Sequence, residues 1–365
     1  METQLKRPKF KRETNMQWVK ELQQRVRTAI RGSDQTVKRN MHIKAGMMAT
    51  VYLTAYFGLL FFSGSLGAMF SWFVVLGVVL IILFLNTAHD LSHNTFFKSK
   101  KWNTRFMYLF DFLGDDHVIW KTRHVVYHHS YSNVQHWDKD IRQSKMVRIL
   151  PNAIYRNFHK YQHLYMPFLY LFYTIHVSFI RDFYDMFHKD GLMRTHGTKE
   201  DRKIGRFLLF KLINLTHLLI IPMLVVPQAW YWVFAGFVAM HFAGSMVAVV
   251  NLVSAHVGED AVFVKENEDN IIEHSWREHQ LITTTDFATR SKLVTMLTGG
   301  FNHHVAHHLF PSVSHGHYEK ITAIIIELDK KYGLDYKSLS LGKALITHWN
   351  LLRNNSVRPG ELFQE

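Results

Sequence analysis

Apolar positions along this chain gather into four long runs separated by strongly polar stretches. Residues 45–62 (AGMMATVYLTAYFGLLFF) and 66–88 (LGAMFSWFVVLGVVLIILFLNTA) contain no charged side chain. A second pair follows at 207–226 (FLLFKLINLTHLLIIPMLVV) and 229–253, interrupted only by Lys211, His217 and His241. A helix rises about 1.5 Å per residue, so each run is long enough to cross a hydrocarbon core of ~30 Å. The pattern predicts an all-α integral membrane protein with four transmembrane helices in two hairpins. Lys211, one turn inside the third run, is expected to snorkel toward the interface. A further apolar stretch, 163–180 (HLYMPFLYLFYTIHVSFI), holds Pro167 and His176 between basic flanks. It predicts an amphipathic helix lying in the interface or packed under the spans. As a fifth crossing it would divide the later histidines from the earlier ones.

Charge orients this picture. Lys+Arg number 43 against 29 Asp+Glu, a formal charge of +14, and the first 44 residues are dense in Lys and Arg, with LysArg at 6–7 and again at 11–12. The positive-inside rule then puts both termini, the central segment 89–206 and residues 254–365 in the cytoplasm. The first residues lack the apolar core of a secretory signal and read as a basic cytoplasmic arm, 1–44, facing anionic headgroups and not nucleic acid. The mean hydropathy of −0.08 is an average over greasy spans and a polar body.

Composition then narrows the chemistry. There is no cysteine and there are 25 histidines. Disulfides, thiolate metal sites and cysteine nucleophiles are excluded, so any metal must be held by imidazole and carboxylate. The histidines cluster. His89 and His93 (HDLSH) sit at i, i+4 where the second span ends, which puts both rings on one helix face. His124, His128 and His129 (HVVYHH) follow Trp120 and precede Asn133; on an α-helix His124 and His128 share a face, and His129 is turned about 100° away, toward a different ion. His303, His304, His307 and His308 (HHVAHH) repeat the spacing. His256, just beyond the fourth span, emerges at the same depth as His89 and adds a ninth ligand.

Imidazole-dominated ligation suits Zn, Cu, Fe or Ni, but a lone zinc needs only three or four ligands. A pair of iron ions shares the nine. Asp90, Asp138 and Asp140 are placed to accept the spare N–H of a ligand imidazole, and Asn251 to hold a metal-bound water. His315, His317 and Tyr318 read as helix-surface residues, while His274 and His279, flanking Trp276, read as outer groups of the site. His241 lies midway through a span, where a polar group faces protein interior, too far along the helix to ligate.

These blocks carry a resemblance. HDLSH, WKTRHVVYHHSYSN and GGFNHHVAHHLFP resemble, in order and spacing, the three histidine boxes of the integral-membrane fatty acid desaturase family. LITTTDF (281–287) and FPSVSHGHY (310–318) resemble its flanking blocks, so the likeness runs from about 86 to 321. The resemblance implies iron ligands at His89, His93, His124, His128, His129, His304, His307 and His308, with His256 matching the family's additional histidine. It also implies two iron ions, O₂ as co-substrate and electrons from a separate ferredoxin or cytochrome. Two departures matter: His304 stands where many relatives carry Gln, and the His-Pro-Gly-Gly signature of a fused haem domain is absent. Both imply a stand-alone enzyme and weigh against a front-end desaturase.

The chemistry fits. An unactivated methylene has no acidic proton, so an oxidising metal centre must remove its hydrogens while the protein positions two adjacent carbons and excludes water. The expected substrate is an acyl chain in an apolar tunnel, carried by phospholipid, CoA or carrier protein, with its head group on the basic surface. A hydroxylase or ketolase on the same boxes is the nearest rival. A metal transporter or sensor would carry ligands along its spans, and a zinc protease would show His-Glu-X-X-His; neither pattern is present.

Overall fold

The computed structural model describes residues 7–141 and 145–358, so Lys6 of the first LysArg pair lies outside the described residues. The chain is mostly helical. Four helices are long and apolar enough to cross a membrane: α2 (Asp34–Phe61), α3 (Leu66–Ser92), α6 (Ile204–Val225) and α7 (Trp230–His256). Their outward faces expose Leu53, Phe57, Leu209, Leu212 and Leu224, an apolar surface that suits lipid and not water. Trp230, Tyr231 and Trp232 cluster at one end of α7, in the manner of an interfacial aromatic belt.

Helix α3 lies against α7 at very close range. A Cβ on Gly77 would stand 1.9 Å from the Met240 carbonyl, and one on Gly244 2.9 Å from the Gly77 carbonyl. Only glycine permits this approach, and Gly77 is therefore a backbone contact between the two central spans. Around it Leu59, Met69, Phe73, Leu76, Val233, Phe237 and Met240 form the membrane core.

Several elements depart from the sequence expectation. Helix α2 begins at Asp34, eleven residues before the apolar run, because Lys38, Arg39 and Lys44 are good helix formers and the turn persists past the hydrocarbon. The basic arm is folded: Met16–Ile30 (α1) buries Trp18, Val19, Leu22 and Val26 against Tyr318–Tyr332 (α10), on Ile321, Ile325 and Leu328. Lys9–Phe10 pairs in parallel with Ile271–Ile272. Lys211 does not snorkel. It is buried, with its ammonium 2.8 Å from Asp182 and 2.6 Å from the Gly114 carbonyl, because a carboxylate on the neighbouring helical segment offers the charge a partner inside the protein. The 163–180 stretch belongs to a nearly continuous helical segment over 162–187 (α5), interrupted after Pro167 by a 3₁₀ turn. Thr174 on α5 bonds His241 and Ser245 of α7, so this segment packs along the last span and His241 does face protein interior.

Candidate metal centre

Four segments bring nine histidines to one place. His89 and His93 come from the end of α3, and His124, His128 and His129 from a helical segment over 117–131 (α4). His256 ends α7, and His304, His307 and His308 lie on His304–Leu309 (α9). Their ring nitrogens fall into two all-histidine groups, within each of which the nitrogens lie within 4.8 Å of one another, and His124 and His128 also meet at Asp140 within the same distance. The first holds His89, His93, His124, His129 and His307; the second holds His128, His256, His304 and His308.

The division within α4 differs from the expected one. His124 and His129 come together, their Nε2 atoms 3.2 Å apart, while His128 turns to the other group. The reason is local: Thr122–His128 forms a π-helical turn. Its bonds run from i to i+5, which aligns the i, i+5 pair and displaces i, i+4. Single π turns of this kind recur at Phe84–Ala88, just before His89, and at Val177–Arg181.

Outside the rings lie the groups that aim them. His128 Nδ1 donates to Asp138 at 3.0 Å, His256 Nδ1 to the Thr283 carbonyl at 3.0 Å, and His308 Nδ1 to Gln280 Oε1 at 2.8 Å. Each of these acceptors requires the proton on Nδ1, which leaves the Nε2 lone pair pointing inward. In the five-membered group His307 Nδ1 meets the Tyr318 hydroxyl at 2.9 Å, and His124 Nδ1 stands 3.6 Å from Asp140. Burial, with the neighbouring imidazoles adding to it, holds His129, His304, His307 and His308 well below the usual histidine range, so these rings are neutral. His128 is the exception. Burial opposes its charge, but Asp138 and Asp140 together outweigh burial and raise it.

A metal fits this donor set on direct geometric grounds. Nε2 atoms face each other at 3.1 Å (His89–His124), 3.1 Å (His128–His256), 2.8 Å (His256–His304) and 3.2 Å (His304–His308). Where Nδ1 is already the donor on a neutral ring, as in His256 and His308, Nε2 offers the group only a lone pair. His93 Nε2 and His307 Nε2 are buried with no hydrogen-bond partner. Such a convergence is unfavourable unless a cation lies between the nitrogens.

Other candidates take different places. Asp138 is buried on His128 as anticipated, and Asp140 lies beside His124. Asp90 accepts from His315 Nδ1 at 2.8 Å and not from a ligand ring, because its helix turns it away from the cluster; Lys44 then reaches His315 Nε2 at 2.8 Å. His315, His317 and Tyr318 are buried and not on a helix surface, since α10 inserts its first turn beneath the centre. His303 turns aside to Thr322 and Thr295. His279 is buried and bonds the Ser132 carbonyl at 2.8 Å; His274 joins neither group. Asn251 turns its amide nitrogen back on the Val247 carbonyl. Gln280, Thr283 and Tyr318 were not assigned an orienting role from the sequence, although all three lie in or beside the LITTTDF and FPSVSHGHY blocks.

An apolar cavity runs from His89 and Phe301 into the span core, past Leu80, Gly77, Met240 and Leu218. A helical protein with four apolar spans, a histidine-lined site able to hold metal and a greasy cavity leading from it is a membrane enzyme that acts on a long apolar substrate. A family model for fatty acid desaturases matches residues 66–340. The chain belongs to the fatty acid desaturase family. It is 30% identical over 349 residues to the sn-1 linoleoyl-lipid 6-desaturase of Arthrospira platensis, covering 93% of each chain. It is 29% identical to the protein of that name from Synechocystis sp., covering 75% of this chain and 76% of the relative. The Delta(5) fatty acid desaturase A of Dictyostelium discoideum is 28% identical, with 94% and 76% covered. The protein is thus a desaturase, an oxidoreductase of fatty acid metabolism associated with the membrane.

Proposed function

We propose that the protein is an O₂-dependent acyl-lipid desaturase whose two histidine groups each hold one iron ion: His89, His93, His124, His129 and His307 on one side, His128, His256, His304 and His308 on the other. The observation that carries this reading is the inward convergence of Nε2 atoms on rings whose Nδ1 protons are held from outside. A bound iron pair supplies the oxidising power to take hydrogen from an unactivated methylene. The chain's own residues do the rest. Asp138, Gln280 and the Thr283 carbonyl keep imidazole rings in register. Leu80, Leu218 and Met240 receive the acyl chain without directional contacts and exclude water from it. Electrons come from an external ferredoxin or cytochrome. The spans form two hairpins, with both termini and the metal centre on the cytoplasmic side, where a basic surface meets lipid headgroups.

The test is expression in a host without polyunsaturated lipids, with fatty acids profiled by gas chromatography and double-bond location, and iron measured per purified chain. New unsaturated products and about two irons per chain are expected. Products heavier by one oxygen would point to hydroxylation and overturn the reading.

A further inference from the structure

The cavity that leaves the metal centre is apolar along the spans and polar along one side. That side is formed by α5, which turns Thr174, Val177, Ser178 and Arg181 to the cavity. Arg181 is 8% exposed, and its Nε and one Nη have no hydrogen-bond partner. Among the described residues, no carboxylate lies within ion-pair distance of it. Asp182 is taken by Lys211, Asp115 accepts from Ser178 at 3.1 Å, and Asp140 faces His124 and Arg123. The Arg181 guanidinium lies 5.8 Å from the Tyr173 ring centre, and Asp140, the carboxylate beside His124, is among the charges that act on it. A buried guanidinium with N–H groups unpaired is costly, and an oxygen acceptor removes the cost. In the other direction the lining holds Leu80, Gly77, Met240 and Leu218, and twelve residues of α3, or about 18 Å, separate His89 from the closed contact at Gly77.

We infer that Arg181 receives the carbonyl oxygen of the acyl group, so that the carboxyl end of the chain is held beside the metal centre and its methyl end points toward Gly77 and Met240. The inference rests on the desaturase reading and adds an orientation to it. Hydrogens are then removed at a fixed count from the carbonyl, whatever the chain length, because the head is anchored and the tail is not. An ester of a phospholipid and a thioester of CoA present the same carbonyl.

The experiment uses the full-length protein in host membranes given acyl chains of several lengths, as phospholipid esters in one arm and CoA thioesters in the other; the arm that is converted identifies the source of the carbonyl. Double-bond position is read by mass spectrometry. The wild-type protein is expected to keep a constant position counted from the carboxyl end. R181Q is expected to lose about tenfold or more of product and to spread the position, with iron per chain unchanged. R181K is expected to restore a single position. A wild-type position constant from the methyl end overturns the inference and leaves the desaturase reading intact. So does R181Q with wild-type yield and one position, or R181K as poor as R181Q. If R181Q fails to accumulate, the wild-type length series and R181K decide. A wild-type protein that desaturates no acyl chain overturns both readings together.

Discussion

The two histidine groups are built differently although they share α4 and α9. In the four-membered group His128, His256 and His308 each give their Nδ1 proton to an oxygen that can only accept, so three of four rings are locked in tautomer and angle. In the five-membered group Tyr318, which can donate as well as accept, meets His307, and Asp140 stands beyond hydrogen-bond distance of His124. His129 Nδ1 is buried with no partner. The five-membered group is also the one that meets the cavity, through His89. Rigidity thus lies on the side away from the substrate. The group with more histidines and fewer external ties is the one that lines the proposed acyl cavity.

That contrast breaks most visibly at the rings themselves. His124→Ala in one group and His304→Ala in the other, and equally His128→Ala or His308→Ala, are expected to reduce product to background and to lower bound iron; full iron and turnover in any of these variants would sink the assignment. Next come the outer partners. Asp138→Asn removes a buried charge from the locked group and is expected to weaken iron retention by about 10–100-fold. Tyr318→Phe removes a neutral partner from the looser group, and its effect on iron titration should be clearly smaller. Equal losses would mean that the two groups are supported alike.

A third perturbation touches both groups at once. Asp286 is buried, accepts from the Val305 amide at 2.7 Å and from Tyr336 at 2.8 Å, and so holds the start of the helix that serves both groups. Burial pushes its carboxyl up to about 7. An acid raised on folding contributes stability that is full below its unfolded value of about 4 and is lost as pH rises through the folded value. Thermal midpoints of the wild-type protein should therefore fall between about pH 4 and 7, and Asp286→Asn should flatten that slope; an unchanged slope would remove Asp286 as its source. The smallest effect is expected at His241, which bonds Thr174 on the span side of the cavity and belongs to neither group. His241→Ala should leave iron per chain unchanged.

Much of this was legible along the chain. The four apolar runs forecast the four long helices because a helix that faces lipid must be apolar over its length. The i, i+4 spacing of His89 and His93 forecast a shared group, since α3 continues through both. At His124 and His128 the same spacing kept the rings stacked and both near Asp140, but a π turn in place of the expected α turn sent them to different all-histidine groups. Lys211, Asp90 and His315 were misread for another reason: each is satisfied by a residue at least 29 positions away, and local periodicity carries no signal of such a partner.

What the sequence determined by itself was the chemistry and its scaffold: no cysteine, many imidazoles at helical spacing, and enough apolar length to place them at the ends of spans. These follow from residue type and from periods of a few residues. Which ring joins which group, which oxygen holds each Nδ1 proton, and which arginine is left facing the cavity were decided only when distant segments met. Those are relations between residues far apart in the chain, and only packing sets them.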